Sequence, residues 1–304
     1  MENLSFLTTE ESNCKTENLD EMSVIEILNI MNEEDQTIAN AVRQVISQIG
    51  EVVEKVVQAF QNGGRLIYIG AGTSGRIGVL DAVECPPTFS TSPEQVQAVL
   101  AGGESAMFTA VEGAEDDIEL GAGDLKKIGI TSNDVVIGIA ASGRTPYVKG
   151  ALKYAGSCGA VTVSLSSNTD SEISEDADIE IEVVTGPEIL TGSTRLRAAT
   201  AHKMILNMIS TASMVKTGKV YHNFMIDLNA SNLKLRERAK KIVCTVTSVE
   251  YEEAEKVLMQ TDFNVKLAIV MILTNTNRNE AEALIDQSGG FVNSAVKLAE
   301  SNKG

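Results

Sequence analysis

The chain has 304 residues, enough for roughly two domains of about 150 residues and for a large core without disulfide staples. Its 25 Lys and Arg against 42 Asp and Glu give a net charge of −17 and a pI near 4.6, which argues against nucleic-acid binding and against docking on anionic lipid. A mean hydropathy of +0.02 with 43% hydrophobic residues excludes a disordered chain.

No apolar run reaches the roughly 18 residues of a membrane span. Met1-Glu2-Asn3-Leu4 lacks the basic and apolar regions of a signal peptide. Cys14, Cys85, Cys158 and Cys244 show no C-x-x-C pairing, which suits a reducing, cytoplasmic setting. His202 and His222 stand too far apart in sequence to suggest a His-rich metal site.

Charge is uneven. Residues 1–64 hold twelve acids and three bases, residues 65–230 hold twenty and twelve, and residues 231–304 hold ten of each. The expected organisation is a helical arm over 1–55, a central domain over 56–219 and a helical module over 220–304. The arm reads as helix from about Met22, through Val24, Ile25, Leu28 and Met31. A longer periodic pattern then runs from Val42 to Phe60 and stops at Gln61-Asn62-Gly63-Gly64. The central zone alternates helical stretches with five apolar runs: Arg65–Ile69, Val96–Ala101, Asp134–Ala140, Ala160–Leu165 and Ile179–Val184. That alternation predicts an α/β fold with a parallel sheet covered on both faces. A long helix is expected over Ser193–Thr217, closed by Gly218. Helices over Val249–Gln260, Val265–Leu273, Asn279–Gln287 and Phe291–Ala299 follow.

Two loops carry the first chemical signal. Gly70-Ala71-Gly72-Thr73-Ser74-Gly75-Arg76 follows the first strand and opens a helix. Glycine admits close backbone approach, and the helix start offers free N–H groups to an anion. The letters match G-x-G-x-x-G, yet the next strand ends in Ala101-Gly102-Gly103, without the ribose-binding acid of a dinucleotide site. Gly72, Thr73 and Ser74 suit a compact phosphate better; a bare strand-to-helix turn is the alternative. Ala141-Ser142-Gly143-Arg144-Thr145-Pro146 repeats the design after the third strand, with Pro146 at a helix start. Ser142 and Thr145 offer hydroxyls, and Arg144 is either an anion contact or a surface charge. In Gly186–Arg197, Ser193 offers a hydroxyl near the long helix. Glu188 either binds a sugar hydroxyl or complements the helix dipole.

The candidate acids are Glu84 and the run Glu112–Asp117. The double proline of Glu84-Cys85-Pro86-Pro87 is expected to end its helix near Glu84, where the negative dipole end favours a held proton; a solvated surface acid is the alternative. Glu112 and Glu115 share a face if their segment is helical, or belong to a solvated helix start.

Together these residues resemble the N-acetylmuramic acid 6-phosphate etherase family. The resemblance is carried by Thr9-Glu10, Asn13 and Leu19-Asp20 in the arm. It extends through Gly64–Thr88, Val111–Asp117, Gly138–Val148 and Thr185–Lys203. It implies a sugar-isomerase (SIS) unit, a five-stranded parallel sheet with helices on both faces, flanked by the N-terminal helical arm and a small C-terminal bundle like a ubiquitin-associated (UBA) domain. It implies Glu84 as catalytic acid and Glu115, rather than Glu112, as the second catalytic glutamate. Arg197 stands where lysine is common, and His202 where glutamine is common.

The implied reaction removes D-lactate from C3 of the amino sugar by elimination, then adds water, in salvage of cell-wall sugar. It needs two carboxyls and neither metal nor cofactor. The other implied partner is a second copy of the chain. Ser74 and Glu84 lie about 15 Å apart along one helix, so either that helix breaks early or two subunits share a site. A non-catalytic sugar-phosphate sensor of the glucokinase-regulator type and an aldose–ketose isomerase are the competing readings.

Overall fold

The computed structural model describes residues 7–302 apart from 112, 229 and 231, so Glu112 lies outside the described residues. The chain divides into two compact units. One runs to Val83 and resumes over Pro93–Ser210; the other takes Glu84–Ser92 and the chain from Thr211.

In the first unit, short 3-10 turns over Thr8–Glu10, Cys14–Thr16 and Leu19–Glu21 precede three helices. Helix α1 (Val24–Asp35) starts at a capping box in which Ser23 and Glu26 each satisfy the other's backbone N–H. Its Val24, Ile25 and Leu28 are 70, 65 and 55% exposed, an apolar stripe left open to solvent. The periodic stretch that follows is two helices, α2 (Ile38–Gln44) and α3 (Ile46–Gln61), because Val45 leaves helical geometry between them. The glycine stop holds: Gly63 takes a positive φ and the Gly64 N–H returns to the Ala59 carbonyl.

All five expected strands form: β1 (Leu66–Gly70), β2 (Val96–Leu100), β3 (Val135–Ile139), β4 (Val161–Ser166) and β5 (Ile179–Glu182). They pair parallel in the order β2-β1-β3-β4-β5. The central strands β1 and β3 are buried at every position, whereas edge strand β5 alternates. Helix α4 (Gly72–Phe89) follows β1, α5 (Ile118–Lys127) precedes β3, and α6 (Pro146–Ser157) follows it. Ile67, Ile69 and Val136 pack on one face with Leu125 of α5 and Leu152 of α6. Tyr68 alternates to the other face. Its hydroxyl donates to buried Asp81 of α4 at 2.7 Å, and Asn207 and Ser210 of α7 (Arg197–Lys216) donate to the same carboxylate at 2.5 and 3.0 Å.

Helix α4 does not stop at the double proline. It continues through Pro86 and Pro87 to Phe89. Proline's fixed φ is compatible with helix; its cost is the absent N–H, here for the carbonyls of Ala82 and Val83. Buried Cys85 and Phe89, four residues apart on one helix face, hold the last turns in place. Glu84 is therefore an exposed mid-helix residue, not a terminal one.

In the second unit the end of α7 leads to a small hairpin, β6 (Val220–Tyr221) and β7 (Phe224–Met225). Five helices follow: α8 (Leu233–Thr247), α9 (Tyr251–Gln260), α10 (Val265–Thr274), α11 (Arg278–Gln287) and α12 (Val292–Ser301). They close a core around Ile242, Val243, Leu258, Leu267 and Ile269. The four tail helices read from periodicity correspond to α9–α12. Helix α8 adds a fifth, whose basic first half hides its apolar face. Among the described residues no single helix is long and apolar enough to cross a membrane.

Candidate functional site

The strand order reverses between β1 and β3, with β2 on one side and β4 and β5 on the other. In open α/β sheets ligands bind outside the carboxyl ends of strands at such a switch point. Gly70 and Ile139 are register partners, so the two hydroxyl loops leave the sheet side by side. Topology thus sets Gly72, Thr73 and Ser74, at the start of α4, beside Ser142 and Thr145, at the start of α6.

A cavity of about 570 Å³ lies against the second loop, within the range of small-molecule pockets. Four expected site residues line it: Ser142, Arg144, Thr145 and Glu115. Glu115 sits on a 3-10 turn, Ala114–Asp116, and its exposed carboxylate has no hydrogen-bond or ion-pair partner among the described residues. Thr145 precedes Pro146 at the first turn of α6, so the helix start faces the hydroxyls. Arg144 Nη2 and Lys149 Nζ reach the two oxygens of Glu172 at 3.4 and 3.5 Å. Lys149 also reaches Glu175 at 3.5 Å, so two cations stand at the cavity wall among carboxylates.

The loop itself is braced from β4 and beyond. Asn168 Nδ2 donates to the carbonyls of Ala141 and Ser142, at 3.1 and 3.3 Å, and the Ile173 N–H to that of Gly143 at 3.0 Å. Gly143 has φ +74°, and a Cβ there would run into the Ser171 hydroxyl. Gly143→Ala is therefore expected to destabilise the fold by at least about 1–2 kcal/mol, the cost of a left-handed alanine, and to weaken binding of a phosphorylated sugar. A melt paired with a calorimetric titration checks both. An unchanged melting temperature with unchanged affinity would contradict the brace.

The remaining expected residues lie elsewhere. Gly72, Thr73 and Ser74 occupy the first turn of α4, and none of them lines this cavity. Glu84 is ten residues further along the same unbroken helix. Ser193 sits in the turn before α7, half-buried, its N–H on the Leu190 carbonyl. Glu188 is 1% exposed, and its two oxygens accept the N–H groups of Arg197 and Ala198 at 2.9 and 3.0 Å. Of its two readings, the helix cap is the one this geometry supports. Arg76 turns from the loops and donates to the carbonyls of Ala106 and Met107.

Two residues that depart from the resembled pattern have physical accounts. Arg197, 4% exposed, donates to Glu34, to the Pro187 carbonyl and to Thr37, a fork that lysine cannot reproduce. His202 is fully buried, and burial pushes its pKa down to about 4. The neutral ring meets the Ser167 hydroxyl at 3.0 Å, the kind of uncharged contact that glutamine makes.

Sequence reasoning missed Glu10, Asp116, Lys149 and Glu172 as cavity residues. Lys149 carried a usable signal, since it lies one turn beyond Thr145 on α6. Glu10 carried no local signal, because it reaches the cavity through contacts with residues about 160 positions away. Among the described residues no three His, Cys, Asp or Glu side chains gather as a metal site requires.

Residues 48–156 match the family described as the glucokinase regulatory protein N-terminal SIS domain, and residues 122–212 match the SIS domain. Among solved structures, phosphoheptose isomerase from Neisseria gonorrhoeae superposes with a TM-score of 0.50 at 17% identity, over 63% of this chain and 98% of that one, which shows a shared fold. The chain is 55% identical to N-acetylmuramic acid 6-phosphate etherase of Bacillus subtilis, over 97% of each chain. It is 58% identical to N-acetylmuramic acid 6-phosphate etherase 2 of Lactiplantibacillus plantarum, over 97% of this chain and 99% of that one. With over half of its residues identical across nearly its whole length, this chain belongs to the N-acetylmuramic acid 6-phosphate etherase family.

Proposed function

We propose that this chain cleaves the D-lactyl ether of N-acetylmuramic acid 6-phosphate with water, giving N-acetylglucosamine 6-phosphate and D-lactate. The observation that carries this reading is the end-to-end identity with etherases of that name, above 50%. The cavity adds chemical sense to it. Hydroxyls, a helix start and two cations meet the 6-phosphate, and an unpartnered carboxylate stands in the same wall. Net charge cannot steer a substrate bearing a phosphate and a carboxylate to a chain of −17, so Arg144, Lys149 and the α6 start hold it by short-range contacts, against four carboxylates in the same lining. Phosphate esters do not cross bilayers unaided, which fits a cytoplasmic reaction.

An alkyl ether resists direct displacement. Opening of the sugar ring exposes the C1 aldehyde and acidifies the C2 proton. A base takes that proton, the C3–O bond breaks, and an acid protonates the departing lactate oxygen. Water then adds at C3 of the unsaturated aldehyde, and C2 regains a proton. Glu84 is the acid in this scheme and Glu115 the base, each worth about 10²–10⁴-fold.

The unbroken α4 keeps Ser74 and Glu84 of one chain about 15 Å apart. With the substrate spanning both hydroxyl loops, that separation favours a homodimer in which the partner's Glu84 completes the site. The open apolar stripe on α1, with Leu80 and Val83 exposed on α4, gives such a dimer surface to bury. The match to a glucokinase regulatory protein domain keeps one second reading, a sensor that binds the sugar phosphate without cleaving it.

The test is D-lactate release from N-acetylmuramic acid 6-phosphate in D₂O. Stoichiometric lactate is expected, with one deuterium at C2 of the product. Lactate without deuterium at C2 would rule out elimination. Folded protein that binds the product but releases no lactate would establish the sensor.

A further inference from the structure

Among the described residues, polar contacts fasten the N-terminal arm at three points, to the loop at Ile189, the start of α7 at Arg197 and the loop after β4 at Asn168. Thr16 donates to the Ile189 carbonyl at 2.9 Å, and Glu34 pairs with Arg197 at 2.7 Å. The third fastening is at the cavity. Asn168, 2% exposed, accepts from the Thr9 N–H at 3.4 Å and donates to the Thr9 hydroxyl at 3.1 Å. The same amide donates to the Ala141 and Ser142 carbonyls. One buried side chain therefore ties the Thr8–Glu10 turn to the hydroxyl loop. The next residue, Glu10, lines the cavity with Leu7, and its Oε2 lies against Gly192. Its carboxylate has no hydrogen-bond or ion-pair partner among the described residues.

We propose that Glu10 is a specificity residue whose carboxylate accepts a hydrogen bond from a neutral donor of the sugar, a hydroxyl or the acetamido N–H, and that Asn168 is its positioning residue. A carboxylate only accepts, so it complements those donors and disfavours the substrate's two anionic groups beside it. Its placement is paid for by a buried amide that makes four contacts, a construction a purely solvated surface acid does not need. The inference rests on the cavity being the substrate pocket.

The test uses the full chain as wild type, Glu10→Gln, Glu10→Ala, Asn168→Ala and the Glu10→Ala/Asn168→Ala double variant. Lactate release is measured, together with calorimetric titration by N-acetylglucosamine 6-phosphate. Glu10→Gln is expected to lower kcat/KM by about 10- to 100-fold, nearly all of it in KM, with a matching loss of product affinity. Asn168→Ala is expected to act in the same direction. If Asn168 works in part through Glu10, the double variant loses less than the sum of the two single losses, the remainder coming from the loop that Asn168 braces. Glu10→Gln with KM and product affinity within twofold of wild type would overturn the proposal. A fall confined to kcat would also overturn it, by making Glu10 a participant in the chemistry. Additive losses in the double variant would overturn the role of Asn168. Should wild type release no lactate, the etherase reading fails by itself, and product affinity alone decides on Glu10. Should Asn168→Ala fail to fold, the isosteric Glu10→Gln still decides.

Discussion

Glu84→Gln is expected to lower lactate release by about 10²–10⁴-fold while leaving product affinity and the melting temperature close to wild type. The residue is exposed on a continuous helix and has no partner among the described residues, so the fold does not depend on its charge. What the amide loses is the proton that the departing lactate oxygen needs. Near-normal turnover in this variant would remove Glu84 from the chemistry. Mixing then tests where the acid acts. If each pocket takes its acid from the partner, exchange between Glu84→Gln and Glu115→Gln dimers rebuilds one intact pocket per mixed dimer, for recovery of about a quarter of the wild-type rate. If both glutamates of a pocket belong to one chain, every pocket carries a lesion and no activity returns.

Arg197→Ala is expected to destabilise the protein by about 3 kcal/mol, because it removes a buried guanidinium that holds Glu34, the Pro187 carbonyl and Thr37, leaving Glu34 with Lys15 and Asn13 alone. Arg197 and Glu34 side chains are 5 and 8% exposed, and the arginine also holds Pro187 and Thr37. At about 2–4 °C per kcal/mol the melting temperature falls by on the order of 10 °C. Arg197→Lys keeps the charge and loses the fork, so its loss is smaller. The acid limb of the stability profile separates this pair from His202. Burial alone would raise the Glu34 pKa, but the Lys15 hydrogen bond and the Arg197 charge outweigh it and hold the carboxyl below its ordinary value of 4.5. The pair's contribution is therefore complete above that value and is lost as pH falls through the depressed one. His202 acts higher. Its unfolded ring gains a proton near 6.5 while the buried ring stays neutral to about 4, so stability declines between those values as pH falls. Arg197→Ala flattens the lower limb and leaves the upper one. Loss of both limbs, or of neither, in denaturant titrations across pH would contradict this assignment.

The strands and the two hydroxyl loops were readable because their signals are local. Continuous apolar runs such as Leu66–Ile69 and Val135–Ile139 mark strands buried on both sides, and glycine with Ser and Thr marks the turn that follows. Glu188 was ambiguous for the opposite reason. A carboxylate before a helix reads the same whether it caps the helix or greets a sugar, and only its burial against the Arg197 and Ala198 N–H groups separates the two. The double proline misled because proline's preference is a local cost, and burial of Cys85 and Phe89 outweighs it.

Local side-chain chemistry was thus enough for the α/β class, the two hydroxyl-rich turns and the family that their letters resemble. Long-range packing was needed to bring Glu10 and Glu115 to the wall that holds Ser142 and Thr145, and to carry α4 unbroken past Glu84. The physical reason is separation along the chain. Periodicity and turn preferences act over a few residues, whereas the Thr9–Asn168 and Glu34–Arg197 contacts join residues about 160 apart, and no short window of sequence contains both partners.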